Sequence, residues 1–218
     1  MKKRRRKKSN AIFILLLLVF VLIVANLIKQ SSQWGIPQLS LDPFANSKKY
    51  KPLIQAELAK YHLENYTTVV IALMQQESHG KGGDPMQASE SAGLPPNSIK
   101  DPKQSIAAGV KHFQRALTYG ENKKVDFPTV IQAYNMGIGY IDYVAAHGGK
   151  HSEELAKQFS LKQVQAKPEI YKCRGDKYNF RYPYCYGDFT YSTKVSKNIQ
   201  SLTETVPVVK NKSAAEAF

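Results

Sequence analysis

The sequence predicts a mainly all-α domain that follows one N-terminal membrane-spanning helix. Apolar residues recur at spacings of three and four positions in several segments after residue 50, which is typical of helices that bury one face. Helix-starting Asp and Pro residues precede two of these segments. An apolar run near the N-terminus has the length that a helix needs to cross a bilayer.

A basic flank and an apolar run make up the first 28 residues. Residues 1–10 contain seven Lys or Arg residues, and residues 11–28 (AIFILLLLVFVLIVANLI) contain one polar residue, Asn26. A helix of about 18 apolar residues just spans the hydrocarbon core, and a basic flank favours the cytoplasmic side. We therefore predict a single-pass anchor in the cell membrane that holds the domain outside the cell. A cleaved secretory signal is the alternative, which would make the protein secreted, but the run is longer than a usual signal core.

The formal charge of +14 includes seven cations in residues 1–10, which leaves +7 on the rest of the chain. A basic exterior favours polyanionic partners such as nucleic acid, anionic lipid or an anionic cell wall. Because export argues against nucleic acid, we predict anionic wall polymers as partners and no nucleic-acid binding. Cys173 and Cys185 lie in the part predicted to be exported, where disulfides form, but the sequence leaves their pairing open.

Residues 29–49 are rich in Ser, Pro and Asn and show no sustained period, so we predict a tether there. The domain is predicted over residues 50–205 and a loose tail over 206–218. A helix should begin near Tyr50, and we expect four residues on its buried face: Leu53, Ile54, Leu58 and Tyr61.

Residues 67–77 (TTVVIALMQQE) are apolar on all sides through Met74, which is typical of a helix in the centre of a domain. The β-branched residues at 69–71 also fit a buried strand. The ending ALMQQE favours the helix, because these residues have high helix propensity.

Two later segments predict well-delimited helices. Residues 101–119 begin with Asp101 as N-cap, Pro102 in the first turn and Gln104 at the capping-box position. Their predicted buried face carries Ile106, Val110, Phe113 and Leu117. Residues 126–136 also have a Pro near their start, and glycines close them.

Residues 152–167 form a further amphipathic pattern, and the composition changes after Pro168. Six of the thirteen tyrosines lie between residues 171 and 191. We predict that this Tyr-rich segment forms loops or short strands. Two alternatives apply to its tyrosines: they pack against the helices, or they stack on sugar rings.

Glu77 stands where the apolar run gives way to glycines and small polar residues. In a helix Glu77 would lie on the same face as Leu73 and Met74, so its side chain would project from an apolar surface that is shielded from water. Desolvation raises the pKa of a carboxyl group, and a general acid acting on a sugar leaving group needs such a pKa. The ordinary alternative is a Glu near a helix end that points into water.

Three stretches carry a resemblance to a known family: ALMQQESHGKGGDPMQASES (72–91), DPKQSIAAGVKHF (101–113) and QAYNMG (132–137). Together they resemble the lysozyme-like domain of Gram-positive cell-wall hydrolases, relatives of goose-type lysozymes and soluble lytic transglycosylases. The similarity covers about residues 50–165. It implies cleavage of the β-1,4 bond between N-acetylmuramic acid (MurNAc) and N-acetylglucosamine (GlcNAc) in peptidoglycan, without a cofactor. We also predict no metal site, since the chain lacks an HExxH motif.

The resemblance assigns roles residue by residue. Glu77 would be the catalytic acid, and Gln87 would hydrogen-bond sugar in the cleft. Tyr134 and Asn135 match the family's Tyr-Asn pair that lines the site, and Ser89, in a matched stretch, is a further candidate for substrate binding. Core packing is the alternative for Tyr134, and plain solvent exposure is the alternative for Gln87.

The reaction outcome stays open at this point. Asp101 and Glu90 are candidates for the second carboxylate that hydrolysis uses, although N-capping accounts for Asp101 and surface exposure for Glu90. A lytic transglycosylase needs only one Glu, because a hydroxyl of the substrate attacks and leaves 1,6-anhydro-MurNAc. Asp84-Pro85 replaces the Gly-Leu of the transglycosylase pattern. This difference favours the Gram-positive branch and an N-acetylmuramidase.

A non-catalytic surface protein is the rival from another functional class. A peptidoglycan-binding module or adhesin could use the same scaffold, because a fold does not guarantee an activity. The complete set of Glu77, Gln87, Tyr134 and Asn135 argues against it, since a binding module has no need of the acid.

Overall fold

The computed structural model describes residues 17–24, 26 and 42–204. The chain divides into two units between Asp42 and Pro43. In the first unit residues 17–24 are helical, and the apolar side chains of residues 17–23 are exposed. Among the helices that are described, none has the length and hydropathy that a membrane span requires. The predicted basic flank and tail, half of the predicted anchor and most of the predicted tether lie outside the described residues.

The unit that starts at Pro43 is helical, and residues 42–204 contain no strand. Its described helices are α1 (Ala45–Lys48), α2 (Lys51–Ala59), α3 (Thr67–Ser78), α4 (Pro102–Asn122), α5 (Phe127–Met136), α6 (Gly139–Ala145), α7 (Glu153–Ala166) and α8 (Tyr191–Glu204). Single 3₁₀ turns lie at Glu64–Tyr66, Glu90–Ala92 and Cys173–Gly175. The predicted all-α class is therefore confirmed for this unit.

Helix α3 runs through the core, as its apolar sequence predicted. Residues 70–74 are at most 5% exposed, and α3 packs against α1, α2 and α8. A helix that is apolar on every side needs such neighbours. Residues 67–78 form one continuous helix, so the alternative of a buried strand is wrong. It ends at His79, which has a left-handed backbone (φ +57°) and donates its N–H to the Gln75 carbonyl.

The three later predicted helices are confirmed, and so is the predicted N-cap of α4. The Asp101 carboxylate accepts the Lys103 N–H at 3.0 Å and begins α4. Asp126 and Ser152 cap α5 and α7 in the same way. The predicted buried face of α4 is correct: Ile106, Val110, Phe113 and Leu117 are all at most 5% exposed.

Two expectations near the start of the unit need correction. Leu53 is 37% exposed, because α2 turns Ile54 and Leu58 towards the core instead. Helix α1 lies in the stretch predicted as tether but packs against α3. Within α1, the Ser47 hydroxyl donates to Gln75 Oε1 at 2.8 Å.

The segment between α7 and α8 consists of loops and one 3₁₀ turn. Cys173 and Cys185 form a disulfide with a Cα–Cα distance of 5.0 Å. Helices α6 and α8 were not predicted. Gly137 was taken only as a stop signal, yet α6 begins two residues later, and α8 begins inside the Tyr-rich segment at Tyr191.

Gly80 lies where the chain leaving α3 passes close to α1. Its φ is +67°, and a Cβ atom there would lie 2.6 Å from the carbonyl carbon of Asn46. Gly82 has a similar φ of +77°, but a Cβ atom there would meet nothing within 4 Å. The two glycines therefore separate backbone strain from steric overlap.

We expect Gly82→Ala to lower the free energy of unfolding by about 1 kcal/mol, the cost of a left-handed alanine. Gly80→Ala should lower it by about 3 kcal/mol or more, because overpacking against Asn46 is added to that strain. Chemical denaturation of both variants measures the difference. Equal losses would show that α1 does not hold this close contact.

Candidate active site

Glu77 lies in the last turn of α3, where the helix leaves the core. Its Oε1 atom accepts a hydrogen bond of 2.5 Å from the hydroxyl of Tyr191, the first residue of α8. Burial raises the pKa of Glu77 to about 7, against the lowering effect of the Tyr191 hydrogen bond, and the negative charge of Asp84 adds to the rise. The carboxyl group therefore keeps its proton up to a much higher pH than an ordinary glutamate.

Tyr134 and Tyr191 form a pair of buried rings beside this carboxyl group. The rings are nearly parallel, at 8°, with centroids 6.5 Å apart. The Tyr134 hydroxyl donates to the Met86 carbonyl at 3.1 Å, and His112 packs edge-on against the Tyr134 ring at 4.7 Å. Burial and the charge of Glu77 raise the pKa of both tyrosines well above the usual range. Both hydroxyls therefore remain neutral and able to donate.

Asp84 organises the loop that follows α3. Its Oδ1 accepts from the Ala88 N–H and the Ser105 hydroxyl, and its Oδ2 accepts from the N–H and the hydroxyl of Ser89. Burial alone would raise the pKa of Asp84, but the hydrogen bonds from Ser105, Ser89 and the backbone hold it below its usual value. Asp84 is therefore an ionised carboxylate whose oxygens are already occupied.

The remaining predicted residues lie around this loop. Ser89 is 1% exposed, and its hydroxyl also accepts the Ile99 N–H at 3.0 Å. Gln87 is exposed, with a left-handed φ of +46°, and its side chain donates to the Asp84 carbonyl. Glu90 is exposed in its 3₁₀ turn, and Asp101 caps α4. Substrate binding by Gln87 and Ser89 stays a prediction, as does a second-acid role for Glu90 or Asp101.

Asn135 holds the segment that leads into α8. Its Oδ1 accepts the Asp188 N–H at 2.7 Å. The buried Gln132, one turn earlier, donates to the Asp188 carbonyl at 2.7 Å and accepts the Ser192 N–H at 3.0 Å. Lys194 pairs with the Asp188 carboxylate at 2.6 Å. Together these bonds fix the start of α8 against α5, and so they fix Tyr191.

Sequence reasoning missed Tyr191, Asp84 and Asp188. A signal for Tyr191 exists, because the apolar residues of α8 follow a helical spacing: Tyr191, Val195, Ile199 and Leu202. That pattern would have predicted a helix with the tyrosine on its buried face. In the described part of the chain, no cluster of three or more His, Cys, Asp or Glu side chains could hold a metal ion.

Comparison with known proteins gives this arrangement a family. The family model described as lysozyme-like matches residues 45–199. The chain belongs to the lysozyme-like family. The match covers every element that positions Glu77, from α1 to most of α8.

Two relatives from Bacillus subtilis (strain 168) are similar in sequence to the lysozyme-like chain. The membrane protein YocA is 53% identical over 159 residues, which is 73% of this chain and 71% of YocA. The bifunctional muramidase/DL-endopeptidase CwlT is 46% identical over 108 residues, which is 50% of this chain but only 31% of CwlT.

A solved structure is similar to the lysozyme-like chain in fold and sequence. It is a Staphylococcus aureus protein described as similar to a lipoprotein of the NLP/P60 family. The match has a TM-score of 0.60 and 38% identity, and it covers 71% of this chain and 52% of the other. The lysozyme-like chain therefore spans about half of that protein.

We expect Glu77→Gln to stabilise the protein at high pH and to have little effect at low pH. The pKa of Glu77 is about 7 in the folded state against 4.5 as its ordinary value. As pH rises from 4.5 to 7, the unfolded chain loses this proton first, so the wild type loses stability across that window. Above pH 7 the full penalty is about 3 kcal/mol.

The neutral Gln removes this penalty and still accepts the Tyr191 hydrogen bond. The measurement is the difference in unfolding free energy between variant and wild type at pH 4 and pH 8. A difference that does not change between the two pH values would mean that the pKa of Glu77 is not raised by folding.

Proposed function

We propose that the lysozyme-like domain hydrolyses the glycan strands of peptidoglycan, with Glu77 as the general acid. The observation that supports it most is the carboxyl group of Glu77, whose pKa is raised to about 7 and whose Oε1 is held by Tyr191. An acid with a pKa near the working pH donates protons most effectively. The muramidase activity in the name of the relative CwlT supports the same substrate.

In this mechanism Oε2 of Glu77 carries the proton, because Oε1 accepts the Tyr191 hydroxyl. The proton passes to the glycosidic oxygen as the bond between MurNAc and GlcNAc breaks. The Tyr191 hydrogen bond then stabilises the carboxylate that remains. Positive charge develops on the sugar ring in the transition state, and the ionised Asp84 is close enough to affect the pKa of Glu77. We propose that Asp84 acts as a fixed negative charge in this step, in preference to Asp101 or Glu90.

We propose an N-acetylmuramidase, in which water attacks the anomeric carbon of MurNAc and gives a proton to the Glu77 carboxylate, which restores the acid. Two neighbouring carboxyl groups whose pKa values move in opposite directions are typical of hydrolytic glycosidases, and Glu77 and Asp84 form such a pair. A lytic transglycosylase is the alternative outcome, because the same acid serves both reactions. Binding to peptidoglycan without cleavage is the alternative from another class.

The N-terminal segment is proposed to anchor the domain to the cell membrane, with the domain at the cell surface. The apolar run 11–28 supports this, as do the exposed apolar side chains of residues 17–23 and the name of the membrane protein YocA. Cell fractionation tests it. Recovery of the chain in the culture medium, shortened at its N-terminus, would show a cleaved signal instead.

Activity is tested with the full-length chain in a mild detergent and purified peptidoglycan, with mass spectrometry of the released sugars. We expect products with reducing-end MurNAc, whereas 1,6-anhydro-MurNAc ends would establish transglycosylation. Glu77→Gln should fold and cleave about 10³-fold more slowly, since it cannot donate the proton. The matched control is Glu121→Gln, the same change at an exposed glutamate in α4, which should keep full activity.

Two results would contradict the proposal. An active, folded Glu77→Gln variant would remove Glu77 from the mechanism. A folded wild type that binds peptidoglycan but releases no products would favour the binding module.

The pH dependence of cleavage provides a separate test of the Tyr191 contact. Cleavage should fall as pH rises through about 7, where Glu77 loses its proton. The Tyr191 hydrogen bond lowers the pKa of Glu77, so Tyr191→Phe should move this decline to higher pH. Tyr119→Phe is the control, because the Tyr119 hydroxyl donates to Asp142 in an exposed contact and its loss should leave the profile unchanged. Identical profiles for all three proteins would exclude a role of Tyr191 in setting this pKa.

A further inference from the structure

The loop between α7 and α8 carries the most exposed large apolar side chains described in residues 43–204. Tyr178 is 99% exposed, Phe180 62%, Ile170 60% and Tyr182 47%, whereas the other exposed large apolar side chains of this unit reach at most 40%. Concentrated exposure of this kind marks an interaction surface. We call Tyr178, Phe180 and Tyr182 the aromatic platform.

The backbone under the aromatic platform is held by several contacts. The Cys173–Cys185 disulfide closes the loop. Asn179 accepts the N–H of Tyr182 on its carbonyl and the N–H of Arg181 on its side chain, and the Arg181 guanidinium donates to the Gly187 carbonyl. A surface that is ordered before binding loses less conformational entropy when a ligand arrives.

Positive charge is concentrated in the segment that carries the aromatic platform. Residues 167–181 contain five cations and two anions, a net charge of +3: Lys167, Lys172, Arg174, Lys177 and Arg181 against Glu169 and Asp176. Most of these side chains are exposed. The platform therefore suits a ligand that offers flat apolar faces together with negative charge.

The aromatic platform is connected to the candidate active site through packed residues. The Phe180 ring lies 6.1 Å from Phe189 and 4.8 Å from the Lys194 ammonium group. Lys194 pairs with Asp188, whose N–H is bound by Asn135. Phe189 precedes Tyr191, the residue that holds Glu77, by two positions.

We propose that the aromatic platform binds a glycan strand of peptidoglycan outside the site of cleavage. The C–H faces of the sugar rings would pack on the aromatic faces, and the carboxylates of the peptide stems would meet the surrounding cations. Tyrosine suits a hydrated carbohydrate ligand, because its ring is apolar while its hydroxyl stays hydrogen-bonded. This inference rests on the proposed substrate, but it concerns binding and not the chemical step.

Binding is tested on full-length protein in mild detergent that carries Glu77→Gln, so that the peptidoglycan stays intact. The platform variant adds Tyr178→Ser and Tyr182→Ser, which leaves Phe180 in contact with Phe189 and Lys194. The matched control adds Leu53→Ser and Leu94→Ser, two exposed apolar residues elsewhere, at 37% and 40%. Co-sedimentation with purified peptidoglycan should show roughly tenfold weaker binding for the platform variant and less than a twofold change for the control. Equal thermal unfolding of the three proteins establishes that the fold is kept.

A second measurement separates this inference from the proposed function. In this measurement Glu77 is kept. The platform variant should cleave the shortest soluble fragment that is a substrate of the wild type as fast as the wild type does, and it should cleave long strands more slowly than the wild type. Unchanged binding to peptidoglycan would overturn the platform and leave the cleavage proposal intact. Weaker binding by the platform variant, together with a wild type that cleaves nothing, would support the platform and overturn the cleavage proposal.

Discussion

The hydrogen bond between Tyr191 and Glu77 links two helices whose bonded residues lie 114 positions apart in the sequence. The apolar surface of α3 is buried partly by α8, and the start of α8 is fixed by Gln132 and Asn135 of α5. The surroundings of Glu77 therefore depend on three helices at once. A change that loosens the start of α8 alters the acid without touching it.

The two carboxyl groups of the site show that surroundings, and not residue type, decide protonation. Glu77 has one hydroxyl donor and a largely buried position, so burial dominates and its pKa rises. Asp84 is also buried, but four donors converge on its oxygens and its pKa falls. Desolvation acts on both groups, and the number of hydrogen-bond donors sets the sign of the net shift.

Features that depend on neighbours in the sequence were predictable, and features that depend on distant contacts were not. The apolar run of α3, the cap Asp101 and the proline near the start of α5 are local signals, and the structure has these elements in the predicted places. Glu77 could be predicted as the unusual carboxyl group because its own helix supplies the apolar surface beside it. The role of Asp84 depends on Ser105, 21 residues later, and that of Tyr191 on a helix packed against α3. Local spacing could have placed Tyr191 on a buried helix face, but it does not indicate that this face meets Glu77 or that Ser105 bonds to Asp84.

Because Glu77 and Tyr191 lie far apart in the sequence, the surroundings of Glu77 are completed only late in protein synthesis. Protein synthesis proceeds from the N-terminus, so a nascent chain contains α3 long before it contains α8. During that interval Glu77 lacks both its hydroxyl donor and part of the surface that shields it from water. Less desolvation then acts on its carboxyl group. A chain interrupted before residue 191 carries Glu77 without these surroundings, and only the completed fold raises its pKa to about 7.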